Sequence, residues 1–323
     1  MGVPATIELD AQYRQLQEEC GLLDRSEQGK LLLGGAEAAE YLQGQLTNDI
    51  EALEPGGGCE AALLDRKGHL QAVLRVLALA GGDIWIDTEP EATAAVLRHL
   101  EMYKIGRDVE LADVTASRAI LSLIGPASAR AAGVAAGPEF SQRPASLGGA
   151  ECIAVATREG IDLICDTAEA DRVRAALLAA GAAEVSEEAA EIVRLEAGRP
   201  RFGADIGTAT MPAEAGLVER TVSFTKGCYI GQETVARLHY KGRPNRHLRG
   251  LRLSGAAEAG APLLLGEKGV GTLGSAAVSP RLGPIGLAVL RREAEPGTTL
   301  AVGESGIEAE VVDLPFGVER EDG

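Results

Sequence analysis

The sequence predicts an α+β protein with two related α+β halves in residues 1–243 and a separate antiparallel β-domain in residues 244–323. Two observations lead to this prediction. A strand–turn–strand–helix pattern occurs twice in the first region, and the second region contains only short β-type runs separated by Gly and Pro. This segregation of strands and helices is typical of α+β folds rather than of alternating α/β folds.

The repeated pattern is clearest in residues 84–100, IWIDTEPEATAAVLRHL, and residues 163–178, LICDTAEADRVRAALL. Each segment reads as a strand that ends in Asp-Thr and is followed by an acidic turn and an amphipathic helix. Short polar side chains favour helix N-cap positions. A chance likeness between ordinary hairpin–helix units is the alternative. The expected N-caps are Asp87 or Thr88 in the first segment and Asp166 or Thr167 in the second.

The remaining elements follow from hydrophobic periodicity and turn residues. Cys20–Ser26 reads as a turn that precedes a strand. After Pro244 we expect a small antiparallel barrel or sandwich without a long helix. In the first region we expect helices at 9–20 and 36–46, and strands at 30–33, 61–64 and 70–80.

Composition narrows the possible functions. Hydrophobic residues make up 46% and charged residues 24%, which predicts folded domains, and the net charge of −17 argues against general nucleic-acid binding. We find no apolar run long enough to span a membrane and no secretory signal pattern at the start. The five cysteines and four histidines lack metal-binding spacings, so we expect no resident metal. The odd number of cysteines and their wide spacing make a disulfide framework improbable, so we expect a reducing cytoplasm.

A basic segment stands out in this acidic chain. From Thr221 to Arg252 there are seven Lys or Arg residues and one acid, Glu233, which gives a local charge of +6. Such a contrast attracts an anion, for example a carboxylate tail, and Arg237 is a candidate contact. A basic linker that pairs with acidic surface elsewhere, or that meets a partner protein, is the alternative.

The basic segment contains the octapeptide KGCYIGQE at residues 226–233. With Gly231 as N-cap, residues 232–240 have helical spacing, so Cys228 lies just before a helix N-terminus and near Lys226. Both features favour the thiolate, which makes Cys228 the candidate reactive residue. The other four cysteines read as small core residues. A Cys–His hydrolase would need an Asn or Asp to orient His239, and the sequence identifies none.

This octapeptide resembles the K-G-C-Y-x-G-Q-E signature of the YgfZ family, whose members are relatives of the glycine-cleavage T-protein (GcvT, the aminomethyltransferase). Shorter stretches resemble other elements of this superfamily in the same order, from about residue 15 to the C-terminal domain. These stretches are Cys20–Ser26 (CGLLDRS), Tyr41–Asp49 (YLQGQLTND), Arg194–Pro200 (RLEAGRP) and Met211–Leu217 (MPAEAGL).

The resemblance implies a GcvT-like cloverleaf of two ferredoxin-like subdomains around a central channel that holds tetrahydrofolate or a one-carbon derivative. Glu196 stands where the T-protein glutamate hydrogen-bonds the pteridine ring, although a surface helix charge would look the same. Cys228 and Lys226 are the expected catalytic pair. The expected folate contacts are Glu196, Thr47, Asn48, Asp49, Tyr229, Gln232, Glu233 and Arg237.

One departure separates the branches of the superfamily. T-proteins carry an aspartate pair just after the hairpin glycine, whereas residues 68–74 read GHLQAVL here, without a carboxylate. The YgfZ resemblance therefore implies a folate-dependent accessory protein in iron–sulfur cluster assembly or repair, with Cys228 essential. Its partners would be assembly proteins or cluster enzymes, such as those that thiomethylate tRNA, without direct contact to nucleic acid or membrane.

Two other functions stay open at this point. The first is a folate-dependent aminomethyltransferase or demethylase of the T-protein type that uses the same pocket. The second is a non-catalytic adaptor that docks a partner through the β-domain.

Overall fold

The computed structural model describes residues 5–317. The chain forms two compact units. Unit 1 contains the residues up to Arg66, Gln71–Ala190 and Arg220–Gln232, and unit 2 contains Lys67–Leu70, Glu191–Glu219 and the residues from Glu233 onward. No helix within the described range is long and apolar enough to cross a bilayer.

The first part of the chain alternates short helices with strands of two sheets. Its elements are α1 (Ala5–Glu18), β1 (Gly21–Asp24), β2 (Gly29–Gly34), α2 (Ala38–Gln45), β3 (Gly58–Leu64), β4 (Leu70–Ala78), β5 (Ile84–Thr88), α3 (Pro90–Tyr103), β6 (Glu110–Asp113), β7 (Arg118–Ile124), α4 (Ser128–Ala131), β8 (Gln142–Leu147), β9 (Ala150–Ala156), β10 (Gly160–Asp166), α5 (Ala170–Ala179) and β11 (Ala183–Glu184).

The two sheets have related local layouts. One has the strand order β3-β4-β5-β2-β6, and the other has the order β11-β1-β7-β10-β9-β8. In each, an antiparallel hairpin (β4–β5 or β9–β10) is followed by a helix with one buried face. In α3 that face is Ala92, Val96 and Leu100, which are four residues apart and therefore lie on one side of the helix. The predicted strand–turn–strand–helix repeat is confirmed.

The predicted N-cap of the first helix in this repeat is wrong, whereas Asp166 does occupy the N-cap position of the second helical segment. Asp87 and Thr88 are buried residues of β5, and α3 begins at Pro90 with Glu89 before it. Asp166 is the N-cap residue of the 3-10 turn Thr167–Glu169 that precedes α5, but its side chain makes no capping hydrogen bond. Proline at the first helical position is preorganised and lacks the N–H that a cap would satisfy, so α3 starts without a polar cap.

The stretch Cys20–Ser26 also differs from its prediction as a turn. Its first part is β1, which pairs parallel with β11 and antiparallel with β7 in the interior of the six-stranded sheet. Leu22 and Leu23 are buried, so the short apolar run is a core strand. Asp24 ends the strand and accepts the Ser26 N–H at 2.9 Å, which confines the turn to the last residues.

The second half of the chain carries three helices and an all-β domain. After the helices, seven antiparallel strands form one curled sheet in the order β14-β13-β17-β18-β12-β16-β15, a half-barrel that agrees with the predicted antiparallel C-terminal region. Small aliphatic residues such as Leu251, Leu263 and Val311 fill its core. The elements are α6 (Glu187–Glu196), α7 (Val218–Thr221), α8 (Gln232–Lys241), β12 (Arg246–Leu253), β13 (Pro262–Leu265), β14 (Lys268–Thr272), β15 (Ala276–Ser279), β16 (Gly283–Arg291), β17 (Thr299–Val302) and β18 (Ile307–Val312).

Candidate functional site

Lys226 anchors the octapeptide loop to the end of helix α2 in unit 1. Its ammonium group donates hydrogen bonds to the backbone carbonyls of Gln43 (2.6 Å), Leu46 (2.7 Å) and Asn48 (2.8 Å). These carbonyls belong to the last turn of α2 and the residues after it, where a helix leaves C=O groups without internal partners. A cation is also favourable at this negative end of the helix dipole. Lys226 therefore acts as a C-terminal cap that a distant segment supplies.

Burial sets the electrostatics around Lys226. Removal from water lowers the pKa of the Lys226 ammonium to about 8, and the nearby carboxylate of Asp49 opposes this shift. The ammonium also lies 5.2 Å from the centroid of the Tyr229 ring, a cation–π distance. Tyr229 is buried, which raises the pKa of its phenol to about 12. Lys226 and Tyr229 thus hold the loop from both sides of Cys228.

Cys228 is the exposed member of the five cysteines. It lies between these two anchoring residues. It is also four positions before α8 begins at Gln232, and this position just before a helix was predicted from the sequence. Cys59 is largely covered, and burial raises the pKa of its thiol to about 12. Cys152 and Cys165 face each other on neighbouring strands in the core. An accessible thiol on an anchored loop can react with or bind a partner molecule, whereas the buried thiols are shielded.

The Thr47-Asn48-Asp49 turn connects three segments of unit 1. The buried Thr47 hydroxyl donates to the Thr221 carbonyl and accepts the Ala62 N–H at 2.8 Å. The Asn48 amide donates to the carbonyls of Glu60 (2.7 Å) and Arg220 (3.1 Å). The turn and the octapeptide loop therefore form one hydrogen-bonded cluster. Its Lys226–Leu46 bond joins residues that are 180 positions apart in the sequence.

Glu196 provides the second cluster, which lies in unit 2. It is the last residue of α6 and its side chain is only 5% exposed. The Ser279 hydroxyl donates to one carboxylate oxygen, and Arg281 Nη2 donates to the other at 2.9 Å. Ser279 also accepts the N–H groups of Arg281 (3.0 Å) and Leu282 (2.9 Å), so the turn between β15 and β16 is built around this serine. The turn holds the Glu196 carboxylate in a fixed orientation.

A buried ion network fixes the end of α6 next to Glu196. Arg194 bonds to the Asp205 carboxylate at 2.7 Å and to the Ser275 hydroxyl at 2.7 Å. The Asp205 side chain is fully buried. Buried charges are retained when they are paired and hydrogen-bonded in this way. The RLEAGRP stretch therefore supplies both the candidate carboxylate and the ion pairs that hold its helix.

The predicted site residues fall into two groups. Gln232 is half-buried, whereas Glu233 and Arg237 are exposed residues of α8. The described residues contain no group of three or more His, Cys, Asp or Glu side chains arranged to hold a metal ion. Unit 1 contains Thr47, Asn48, Asp49, Lys226, Cys228, Tyr229 and Gln232, and unit 2 contains Glu196, Glu233 and Arg237.

Sequence reasoning missed Ser279 and Arg281, the partners of Glu196. The sequence feature that could have pointed to them is the stretch Ser-Pro-Arg-Leu-Gly at residues 279–283, a polar turn between two apolar runs. A turn with these residues is common in β-proteins, and its proximity to the α6 glutamate depends on the tertiary fold.

Comparison with known proteins places the chain in a family. The family model for the GCVT N-terminal domain matches residues 6–226, and the model for the glycine cleavage T-protein C-terminal barrel domain matches residues 246–317. The chain is 29% identical to an aminomethyltransferase of Rubrobacter xylanophilus, over 95% of this chain and 86% of that protein. It is also 29% identical to a putative chloroplastic transferase of Arabidopsis thaliana, over 90% of this chain and 70% of that protein.

A solved structure has the same fold. The glycine cleavage system aminomethyltransferase T from Bartonella henselae superposes with a TM-score of 0.85 at 22% identity, over 95% of this chain and 89% of that one. At this identity the likeness concerns the fold alone. Together with the two family models, which cover most of the sequence, it leads to one conclusion. This chain belongs to the glycine cleavage T-protein (GcvT) family.

Proposed function

We propose that this chain binds tetrahydrofolate through Glu196 and acts as a one-carbon transferase of the aminomethyltransferase type. The observation that carries the proposal is the buried Glu196 carboxylate, which Ser279 and Arg281 orient. A carboxylate can accept two parallel N–H bonds from the 2-amino-pyrimidine edge of a pterin. Similar proteins that share most of the chain are named aminomethyltransferases, which supports transfer chemistry.

The exposure of Arg281 is compatible with ligand entry. Its side chain is 57% exposed, whereas that of Glu196 is 5% exposed. A half-exposed arginine moves at little cost because water replaces most of its interactions. Arg281 can therefore hold the carboxylate before the ligand arrives and then release Oε2 to the pterin edge, while Oε1 accepts the second pterin N–H beside the bond from Ser279. When bound, tetrahydrofolate supplies the nitrogen atoms that carry the one-carbon unit, and Glu196 orients them.

The test of this proposal is an assay for methylene-tetrahydrofolate formation from an aminomethyl donor. We expect turnover by the wild-type chain and a loss of at least tenfold in kcat/KM for Glu196→Ala. Glu188→Ala is the matched control because Glu188 is an exposed glutamate of the same helix. Folate binding without any turnover would reject the transferase part of the proposal.

A specific observation favours a second candidate, the accessory role in iron–sulfur metabolism. Gln71 and the buried Ala72 occupy the start of β4, where an acid would be expected for aminomethyl transfer, and Cys228 is exposed on its anchored loop. For this accessory role we propose that the Cys228 thiol contacts an iron–sulfur enzyme or assembly protein, while the chain still binds folate.

The second candidate makes a different genetic prediction. Deletion of the gene should lower the activity of iron–sulfur enzymes, and a copy with Cys228→Ala should not restore it. Cys59→Ala is the control, since that thiol is largely covered. Full rescue by Cys228→Ala would remove the accessory hypothesis and leave the transferase hypothesis untouched.

A further inference from the structure

A second polar site lies in unit 2, away from Glu196. A cavity of about 1030 Å³ opens near the start of β12 and the end of β16. A smaller cavity of about 440 Å³ shares the lining residues Arg292 and Glu293 with it. Arg281, the Glu196 partner, lies just before the start of β16, while the cavity lies at its end, Arg291. Eight residue steps of β16 span roughly 26 Å, because a strand rises about 3.3 Å per residue.

The strand register brings like charges together at this cavity. Arg246 of β12 is directly opposite Arg291 of β16, and Arg292 follows, held by a backbone bond to Asn245 at 2.9 Å. Like charges directly opposite each other destabilise a ladder. Glu214 neutralises Arg246, with a distance of 2.8 Å. The fold therefore holds a cluster of arginines that the pairing of strands alone does not favour.

Several of these arginines lack a carboxylate partner. Across residues 5–317, Arg243, Arg291 and Arg292 form no ion pair within 4.0 Å, although all three line one or both cavities. Arg249, which also lines the smaller cavity, pairs with Asp313 at 3.1 Å through Nη1, and its buried Nε has no hydrogen-bond partner. Arginine stays protonated at all relevant pH values. Six Lys or Arg side chains and four acids (Asp205, Glu214, Glu293 and Glu295) line the two cavities, which gives this surface a formal charge of +2 in a chain whose net charge is −17.

The floor of the larger cavity is shaped by glycines of β14. A Cβ at Gly271 would lie 2.9 Å from the backbone carbonyl oxygen of Val289, which cannot move aside as a side chain can, so this position favours glycine. A Cβ at Gly269 would meet no atom within 4 Å, and its φ lies outside the left-handed region, so this position faces open space. The larger cavity alone, at about 1030 Å³, is at the upper end of the volume range of small-molecule sites.

We propose that the larger of these neighbouring cavities binds a small molecule through a diphosphate or polyphosphate group, with Arg291 and Arg292 as direct contacts. Planar guanidinium groups bind phosphate oxygens in pairs, with charge-assisted hydrogen bonds. A compact anion with two or more charges matches the guanidinium groups of Arg291 and Arg292, which line the same cavity, better than a single carboxylate does. This site is independent of the proposed folate site.

The test is a calorimetric titration of the full chain with pyrophosphate at constant ionic strength. We expect saturable binding of one pyrophosphate, a loss of at least tenfold in affinity for the double variant Arg291→Ala/Arg292→Ala, and a similar loss for Gly269→Glu. The latter adds a carboxylate to the cavity without removing an arginine. Arg252→Ala should bind as wild type, because Arg252 is an exposed arginine of β12 that lines neither cavity.

The proposal is overturned if pyrophosphate does not bind saturably, whether or not γ-linked triglutamate binds. It is also overturned if pyrophosphate affinity is unchanged in the double variant. Tetrahydrofolate affinity should stay unchanged in the double variant. A loss of tetrahydrofolate affinity in the double variant would indicate that Arg291 and Arg292 contact the folate, and it would count against a separate phosphate site.

Discussion

Lys226 carries a charge into a place from which water is largely excluded. Its ammonium group has three carbonyl partners, so the cost of burial is partly offset by hydrogen bonds to the charged form. Burial nevertheless lowers its pKa to about 8. The unfolded chain keeps this lysine protonated up to about pH 10.4. The difference makes Lys226 a source of pH-dependent stability.

We predict that the contribution of Lys226 to stability increases with pH from about 8 to about 10. In this window the unfolded state binds more protons at this lysine than the folded state, so the free energy of unfolding rises. The measurement is chemical denaturation of wild type and Lys226→Met between pH 7 and 10. The wild-type curve should gain stability relative to the variant as pH rises, and parallel curves would show that the pKa of Lys226 is unshifted.

Sequence alone identified Lys226 as important but could not give its contacts. The octapeptide shows a lysine two residues before a cysteine, and sequence distance suggested that the lysine activates the thiol. The structure shows that its ammonium group bonds to carbonyls near α2 instead. Such partners lie about 180 residues away in the chain, and no local pattern contains that information. A catalytic role for Lys226 and Cys228 stays a prediction.

At the scale of elements, the turn between β15 and β16 connects the C-terminal sheet to α6. Ser279 is almost completely buried and makes hydrogen bonds to Glu196 and to two N–H groups of its own turn. A hydroxyl can donate one bond and accept two, so this serine is fully used. The position of the Glu196 carboxylate therefore depends on the conformation of a hairpin.

We predict that Ser279→Ala lowers tetrahydrofolate affinity about tenfold and unfolding free energy by about 1–2 kcal/mol, as expected for lost buried hydrogen bonds. Ser305→Ala is the matched control, because Ser305 bonds to Val302 and Ile307 in another hairpin turn of the same sheet. The control should change stability only. Equal affinity in the two variants would separate this turn from ligand binding.

The repeated elements were predictable, but their first residues were not. Alternating and helical periods identified β4, β5 and α3 because burial follows those periods. Asp87 seemed a helix cap because short polar residues usually serve that purpose. It instead remains in the strand, where it accepts bonds from Arg75 and Trp85. A tertiary ion pair thus overrides the local preference.

At the scale of the molecule, one buried arginine connects the two sheets of unit 1. Arg75 of β4 bonds to Asp87 of β5 at 2.9 Å and to Asp162 of β10 at 2.5 Å. The Ser122 hydroxyl on β7 adds a 2.6 Å bond to Asp162. The arginine thus bridges the two repeated halves, each of which contributes one carboxylate.

We predict that Arg75→Met lowers the unfolding free energy by about 3–5 kcal/mol, because it leaves two buried carboxylates without a cation. Arg118→Met is the control. Arg118 pairs with Asp166 on the same two-sheet unit, but both side chains are more than 40% exposed, so the expected loss is below about 1 kcal/mol. Urea denaturation measures both values, and similar losses would contradict a special role for Arg75.

The sequence predicted the overall organisation better than the site. Repeated strand–helix patterns and the Gly- and Pro-separated C-terminal runs correspond to the two sheets of unit 1 and the half-barrel. The position of Glu196 was inferred from a family motif, while its partners Ser279 and Arg281 follow from long-range packing. The boundary expected at residue 243 remains a proposal.

The most direct test of folate binding through Glu196 is calorimetric titration of tetrahydrofolate into wild type, Glu196→Ala and the control Glu188→Ala. We expect saturable binding by wild type and control. Glu196→Ala should lose about 1.5–3 kcal/mol of binding free energy, typical of a hydrogen bond to a charged group. Unchanged affinity in Glu196→Ala, or no binding by wild type, would contradict the account.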